Sequence, residues 1–140
     1  MDTTFSLDFT VRDYECDMQG IVNNAVYQNY LEHTRHEFLH SRNLDFAELT
    51  RAGIMMVVLR AEIDYLQALT SGDAFRVELK AERKSRRKAV FLQQIVRLED
   101  HQVMLKARIT AGIMARELRA PLPESLNALL ESFPKHQGKQ

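Results

Sequence analysis

The chain has 140 residues, with 19 basic and 19 acidic side chains and a net charge of zero. This length predicts one domain with a substantial core, and the balanced charge argues against a broadly basic surface for nucleic acid or anionic membranes. The single cysteine, Cys16, excludes an intrachain disulfide and a zinc site built from several cysteines. The sequence shows neither a membrane-spanning apolar run nor a secretory signal, which predicts a reduced, cytoplasmic setting. A plastid protein without its transit peptide would look the same.

The first half of the chain predicts a strand followed by one long helix. Apolar residues alternate with polar ones from Phe5 to Val11, a period that indicates a half-buried strand. Over residues 25–41 the apolar spacing becomes helical. One stripe of this helix is predicted to face the core: Tyr27, Tyr30, Leu31, Thr34 and Phe38. The opposite side, expected to be a solvated or subunit-contacting face rather than a metal site, carries His33, His36 and His40.

The second half predicts four strands and two short helices. A helical piece over residues 45–52 ends at Gly53, which suits a helix stop. Tight turns between the strands imply antiparallel pairing, and the alternation requires a helix over one face of the sheet. A last short helix precedes a polar tail at 135–140 that is expected to be disordered, so the domain is predicted to be 1–134. The turn signals lie at residues 70–73, 85–88 and 99–102.

The predicted element lengths leave part of the sheet uncovered. Strands of twelve residues are roughly 40 Å long, whereas a helix of about 15 residues is roughly 22 Å long. One helix therefore cannot cover the sheet, and apolar surface remains for a second copy of the chain. We expect at least a homodimer.

The junction between the first strand and the long helix carries the strongest candidate for chemistry. Asp17 precedes Gly20, then Asn23 and Asn24, and the helix follows. Backbone N–H groups at a helix start lack intrahelical partners and can polarise a carbonyl or hold an oxyanion. A carboxylate facing them can act as nucleophile or general base. The same residue types also favour turns and caps on purely local grounds.

The motif D-x-x-G-x-V-x-x-x-x-Y, from Asp17 to Tyr27, resembles that of the hotdog-fold thioesterases of the 4-hydroxybenzoyl-CoA thioesterase-like family. The likeness extends over the strand–helix–four-strand order to about residue 120. The stretch V-R-D-Y-E-C-D-M-Q-G-I-V-N-N-A-V-Y-Q-N-Y, followed by R-H-E-F, is especially similar to plant acyl-lipid thioesterases, which release fatty acids and β-keto acids from acyl carrier protein. The implied class is α+β, with an antiparallel sheet wrapped around a long central helix.

The resemblance implies an acyl-CoA or acyl carrier protein thioesterase that uses no metal or other cofactor. The family's catalytic acid corresponds to Asp17, and its carbonyl-polarising backbone N–H corresponds to Asn24. Gly20 is either a residue that lets the backbone approach the substrate or a simple turn glycine. Tyr27 is a candidate wall residue of the acyl channel and equally a core residue. The segment that resembles the family's contact to the phosphates of CoA is Arg86, Arg87 and Lys88.

Several alternatives stay open at the level of sequence. Many relatives carry His or Tyr where this chain has Asn24, so the acyl group could be aliphatic or an aromatic one of the 4-hydroxybenzoyl or dihydroxynaphthoyl type. A non-catalytic acyl-thioester binding module is the alternative from another class. The sequence has no G-x-S-x-G motif, and residues 13–32 contain no histidine, which disfavours a hotdog dehydratase. A homodimer and a homotetramer are both compatible with the pattern.

Overall fold

The computed structural model describes residues 4–117 and 121–137, and its elements follow the predicted order. A single 3₁₀ turn, Asp13–Glu15, lies between the first strand and the long helix. The elements are β1 (Phe5–Thr10), α1 (Asn24–Ser41), α2 (Phe46–Arg51), β2 (Ile54–Tyr65), β3 (Ala74–Ser85), β4 (Lys88–Arg97), β5 (Val103–Ala115) and α3 (Glu124–Ser132).

The five strands form one antiparallel sheet in the order β1-β3-β4-β5-β2. Helix α1 packs against it, and the predicted apolar stripe from Tyr27 to Phe38 is buried. Alternate residues of β3 from Phe75 to Ala81 are buried on the helix side, as the period of two predicts. The three histidines of α1 are exposed. The core therefore lies between α1 and one face of the sheet.

The turn signal at 70–73 does not join two paired strands, which corrects the expectation of a β2–β3 hairpin. Strand β2 pairs with β5 at one edge of the sheet, whereas β3 lies between β1 and β4. The chain from residue 66 to residue 73 crosses between them. On the way it bonds to the junction, because Val22 N–H donates to the Leu69 carbonyl at 2.9 Å. A turn signal reports only a local reversal, while packing over the whole sheet selects the strand neighbours.

The C-terminal segment corrects a second expectation. Residues 135–137 are not a disordered tail: Lys135 forms a parallel bridge with Arg83 of β3, and the side chain of His136 is 5% exposed. Polar composition suggested disorder, but the backbone of Arg83 in β3 supplies hydrogen-bond partners that composition does not reveal. Residues 138–140 lie outside the described part of the chain.

Strand β2 leaves apolar side chains at the surface. It is an edge strand, and its only strand partner in the described chain is β5. Large apolar side chains on β2 and its neighbours are 43 to 61% exposed: Met55, Val58, Leu59, Tyr65, Leu66 and Met114. A long edge strand flanked by such side chains is a typical site for pairing with another chain. The homodimer stays a prediction that this surface favours.

Candidate active site

Asp17 lies at the tip of a short hairpin that local hydrogen bonds hold in place. Cys16 pairs with Val22, and Asp17 N–H donates to the Ile21 carbonyl at 2.9 Å. The chain reverses between them because Gly20 N–H donates to the Asp17 carbonyl at 3.0 Å, with Gly20 at φ +80°. This left-handed conformation favours glycine, and a Cβ there would meet nothing within 4 Å. Gly20 is thus a turn residue, and it directs the hairpin back toward the helix.

The carboxylate of Asp17 is partly used by the turn and partly free. Its Oδ1 accepts the Gln19 N–H at 2.9 Å, the hydrogen bond of an Asx turn. The described residues donate no hydrogen bond to Oδ2, and the side chain is exposed in the protomer. One oxygen therefore fixes the orientation of the carboxylate while the other remains available to a water or an acyl group.

Helix α1 starts with one backbone donor that has no partner among the described residues. Asn23 is the N-cap, and its side-chain oxygen accepts the Ala25 N–H at 2.9 Å. The Asn23 carbonyl accepts the Val26 N–H at 2.9 Å. The Asn24 N–H lies between these satisfied positions and is left open. The cap thus leaves one donor at the helix start without a partner among the described residues, and it is the N–H of the residue to which the family resemblance points.

Glu15 and Tyr30 fasten the hairpin to the helix, and sequence reasoning missed Glu15. The Tyr30 hydroxyl donates to Glu15 Oε1 at 2.8 Å, and the Glu15 carbonyl accepts the Asn23 N–H at 3.2 Å. Burial raises the pKa of Tyr30, and the contact with Glu15 raises it further, so the phenol keeps its proton. The sequence shows Glu15 only as an acid two residues before Asp17. Such an acid by itself predicts an exposed surface side chain, not a hydrogen bond to the helix.

Tyr27 is buried, with 3% of its surface exposed, and it contacts the crossing segment, residues 66–73, which connects β2 to β3. Its hydroxyl accepts the Leu69 N–H at 2.8 Å, and its ring contacts Tyr65 with centroids 5.6 Å apart. Burial is the main cause of the raised pKa of Tyr27. The ring therefore has the core role that its spacing predicted, and contact between Tyr27 and an acyl chain stays a prediction.

The basic turn lies at the opposite end of β3 from the junction. Arg86 is exposed, the Arg87 carbonyl accepts the Ile113 N–H at 2.8 Å, and Lys88 begins β4. The crossing segment that bonds to the junction enters β3 at its other end. The twelve residues of β3, a strand roughly 40 Å long when fully extended, separate the two places along the sheet. Within one protomer the structure does not bring the predicted phosphate contacts and Asp17 together.

A cavity of about 370 Å³ opens between α1, α2 and the first half of β2. Most of its wall is apolar, including Leu39, Leu49 and residues 54–58. Arg35 is the cation in this wall, and its guanidinium donates to Gln93 at 3.0 Å rather than forming an ion pair with Glu32. Burial lowers the pKa of Arg35, while Glu32 opposes that effect. The cavity can accommodate an apolar chain beside the helix.

The described residues show no group of three or more His, Cys, Asp and Glu side chains arranged to hold a metal ion. His36 instead stacks on Phe46 with centroids 5.3 Å apart, and His40 tilts against the same ring at 4.7 Å. Within residues 4–117 and 121–137, every helix is too short or too polar to cross a membrane.

Known proteins of similar structure share this architecture. The solved structure of a 1,4-dihydroxy-2-naphthoyl-CoA thioesterase from Synechocystis matches with a TM-score of 0.82 at 21% identity, over 91% of this chain and 96% of that one. An antiparallel sheet packed on one long helix, with an acidic junction just before that helix, is the hotdog fold found in thioester hydrolases. The α+β hotdog class predicted from sequence is confirmed.

Sequence comparison then gives the family. The model of the thioesterase-like superfamily matches residues 11–130, so the chain belongs to that superfamily and is a thioester hydrolase. A chloroplastic acyl-acyl carrier protein thioesterase of Arabidopsis thaliana is 33% identical over 95% of this chain and 70% of its own length. A second one from the same plant is 38% identical over 75% of this chain and 56% of its own length.

Proposed function

We propose that this chain hydrolyses acyl thioesters of CoA or acyl carrier protein at the junction between β1 and α1. The observation that carries the proposal is a short hairpin that presents the Asp17 carboxylate at its tip and leads directly into a helix start whose Asn24 N–H has no partner among the described residues. Among the described residues, one oxygen of the acid accepts no hydrogen bond and the N–H has no acceptor. A carboxylate and an N–H donor of this kind are the two groups that attack on a thioester requires.

The Asn24 N–H has the role of polarising the carbonyl. The thioester oxygen accepts this hydrogen bond, and the partial positive charge of the helix start adds to it. Charge develops on that oxygen as the carbonyl carbon becomes tetrahedral, so the interaction strengthens in the transition state. Losing one donor of this kind typically raises the barrier by about 3 kcal/mol.

Asp17 supplies the second half of the reaction by one of two routes. In the first, its free oxygen attacks the carbonyl carbon and the C–S bond breaks, which gives a mixed anhydride and a thiolate; water then hydrolyses the anhydride. In the second, Asp17 takes a proton from a water that attacks the carbonyl directly, and the thiolate leaves as before. In both routes the thiolate is protonated and a free acid is released.

The cavity beside α1 supports an aliphatic acyl group. Its wall contains flexible Met56 and branched Ile54 and Val57, which can pack around an extended chain. The similarity to plant proteins named as acyl carrier protein thioesterases supports the carrier protein, beside CoA, as the donor of this acyl group. Aromatic rings in the wall, Phe46 and Phe91, keep an aromatic acyl group as the second candidate.

A homodimer formed through β2 supports the use of the basic turn. Val57 of β2 is level with Gly112 and hence with Lys88, while Tyr65 at the other end of β2 contacts Tyr27 near the helix start. Antiparallel pairing of two β2 strands about a two-fold axis places the start of one beside the end of the other. The phosphate contacts assigned to Arg86, Arg87 and Lys88 then approach the Asp17 of the second copy.

A thioester panel tests the proposal. Thiol release is followed with matched acyl groups of increasing length, and with a benzoyl group, on CoA and on acyl carrier protein. We expect turnover of aliphatic members with kcat/KM that rises with chain length until the cavity is filled. Preference for the benzoyl thioester would select the aromatic alternative. Tight binding of acyl thioesters without turnover would contradict hydrolysis and favour a binding module.

A further inference from the structure

One arginine interrupts the apolar wall of the cavity between α1, α2 and β2. Arg35 is half-buried, and it is the only lysine or arginine among the described residues that line this cavity. The side chains around it are mainly aliphatic or aromatic, and they include Leu39, Ile54 and Phe91. A charged group is rarely placed in such surroundings, because moving it out of water costs free energy. Arg35 is therefore a candidate for a binding role.

The guanidinium of Arg35 forms no ion pair within the described part of the chain. Its Nη1 donates to Oε1 of Gln93 at 3.0 Å, and this acceptor is a neutral amide. Burial lowers the pKa of Arg35, and the charge of Glu32, one helical turn earlier, opposes that effect without a hydrogen bond. The other N–H groups of Arg35 have no acceptor among the described residues, so they are available to water or to a ligand.

Gln93 fixes the guanidinium at the cavity. It is 2% exposed, and it shares the inward face of β4 with Phe91 and Ile95. Its Nε2 donates to the Leu31 carbonyl of α1 at 3.0 Å, while its Oε1 accepts from Arg35. Both ends of the buried amide are therefore bonded, one to the helix backbone and one to the guanidinium. An amide bonded in this way holds its partner in one orientation, as a binding residue requires.

Glu32 places a hydrogen-bond acceptor on the same wall as Arg35. A ligand carboxylate would be attracted by Arg35 and repelled by Glu32. A ligand carbonyl can only accept, so it would use Arg35 alone. A hydroxyl can accept a hydrogen bond from Arg35 and donate one to Glu32. Of these three oxygen groups, the hydroxyl is the most complementary to the pair.

We propose that this cavity binds an aliphatic acyl chain that carries a hydroxyl group. Arg35 and Glu32 bind the hydroxyl, and Gln93 is a positioning residue that acts through Arg35. The proposal rests on the proposed function for the thioester and adds the substrate class of its acyl group. The hydroxyl gives the guanidinium the acceptor that it lacks, whereas an unsubstituted chain removes water from it and returns no hydrogen bond. A site of this kind discriminates by the polar group of the ligand more strongly than by one carbon of chain length.

Thioesters that differ by one oxygen test the role of Arg35. Dodecanoyl-CoA is compared with hydroxydodecanoyl-CoA, in which the hydroxyl lies near the start, in the middle or at the end of the chain. The kcat/KM for the best-placed hydroxyl should exceed that of the unsubstituted chain about tenfold, the effect of one hydrogen bond to a charged group. Equal or higher kcat/KM for the unsubstituted chain in every comparison would overturn the proposal.

Arg35→Met shows whether the preference comes from Arg35. Methionine keeps a long, flexible side chain without charge, so the preference for the hydroxyl disappears and kcat/KM for dodecanoyl-CoA rises. Arg51→Met removes an exposed cation of α2 outside this cavity, and it keeps the wild-type preference. The ratio of kcat/KM for two substrates does not depend on the folded fraction of the protein. Equal losses on both substrates in Arg35→Met would show that Arg35 only joins α1 to β4.

Gln93→Glu tests the positioning role with Arg35 still in place. The new carboxylate pairs with the guanidinium from inside the protein, so the advantage of the hydroxylated substrate falls toward that in Arg35→Met. In the double variant the two effects do not add, because both act through one guanidinium. An unchanged ratio in Gln93→Glu would show that Gln93 does not position Arg35.

A carboxylate at the end of the chain tests the role of Glu32. Dodecanedioyl-CoA carries this group, and its kcat/KM in the wild type is below that of the terminal hydroxyl. Glu32→Gln removes the repelling charge and raises kcat/KM for dodecanedioyl-CoA severalfold. A wild-type preference for the carboxylate over every hydroxylated chain would overturn the choice of a hydroxyl.

Calorimetry with the free acids separates this result from hydrolysis. Tighter binding of hydroxydodecanoic acid than of dodecanoic acid, lost in Arg35→Met, supports the site even in a protein that cleaves no thioester, in which case only the proposed function fails. Cleavage of both thioesters with equal affinity for the two acids leaves the function standing and removes the hydroxyl site.

Discussion

The two ends of β3 carry two different kinds of site. At one end, the junction is built from residues close in sequence, and backbone hydrogen bonds fix Asp17 and the helix start relative to each other. At the other end, long cationic side chains from the β3–β4 turn and from the C-terminal segment line a cavity: Arg83, Lys84, Arg86 and Lys135. Bond breaking needs groups held to a fraction of an ångström, whereas attraction of a phosphate tolerates flexible side chains. Changes at the junction should therefore act on kcat, and changes at the cavity on KM.

Asp17→Asn should have the largest effect. The amide keeps an oxygen for the Gln19 N–H, so the turn is preserved, but it can neither attack a carbonyl nor take a proton. We expect kcat to fall by about 10³-fold with little change in stability, measured by thiol release and thermal unfolding. Asp13→Asn removes an exposed acid from the neighbouring 3₁₀ turn and should keep wild-type turnover. Equal losses in the two variants would remove the distinction between Asp17 and the other acids of the junction.

Tyr30→Phe should have the next largest effect. It removes the hydroxyl that donates to Glu15 and so loosens the hairpin against α1. Losing such a hydrogen bond costs about 1 kcal/mol of folding free energy. We expect kcat to fall about fivefold, the rate change that corresponds to a loss of about 1 kcal/mol of transition-state stabilisation. Tyr14→Phe, at a 75% exposed tyrosine in the same junction, is the control. Unfolding in urea and thiol release measure the two effects, and unchanged kcat in Tyr30→Phe would show that Glu15 does not position Asp17.

Gly20→Ala and Gly72→Ala form a matched pair that separates strain from function. Both glycines have φ near the left-handed region, +80° and +87°, and a Cβ at either would meet nothing within 4 Å. Each substitution should cost about 1 kcal/mol of stability from backbone strain alone. Only Gly20→Ala should also lower kcat, severalfold, because its strain displaces Asp17. Parallel losses of activity in both variants would reduce Gly20 to an ordinary turn residue.

Replacing Cys16 should have the smallest effect on turnover, and the alkylation rate of its thiol should respond to the charge of Asp17. Burial, followed by the nearby acids Asp13, Asp17 and Glu15, raises the pKa of the Cys16 thiol. The thiolate fraction at pH 8 is therefore below that of an ordinary cysteine, and alkylation by iodoacetamide should keep rising at pH values where a free thiol levels off. Asp17→Asn removes one of the charges, so alkylation at a given pH should be faster in that variant. Cys16→Ala should retain turnover within about twofold, which sets the thiol apart from the nucleophile.

The sequence predicted the parts of the molecule that depend on near neighbours. The stripe of α1, the alternation of β3 and the helix stop at Gly53 follow from local periodicity and backbone preference, and the structure has all three. The turn at Asp17 was also visible, because an acid followed three residues later by glycine is a turn signature. Local sequence patterns were therefore sufficient to predict both the candidate acid, Asp17, and the turn that contains it.

Contacts between distant residues were beyond the reach of such patterns. Nothing in the sequence around Leu69 indicates that its backbone bonds to both Val22 and Tyr27, and the resulting crossover was missed. His136 was placed in a disordered tail because its partners, Glu82 and Arg108, are remote in the chain and lie on two different strands. Long-range packing, rather than local composition, determines the position of both segments.

The carbonyl of a bound thioester tests the central claim most directly. A ¹³C=O-labelled acyl-CoA is bound to the Asp17→Asn variant, which should leave it intact, and the carbonyl stretch is measured by difference infrared spectroscopy. If the Asn24 N–H and the helix start polarise this bond, the stretch lies at lower frequency than for the same thioester in water. A frequency at or above the value in water would contradict the account, because the thioester would then be bound away from the helix start.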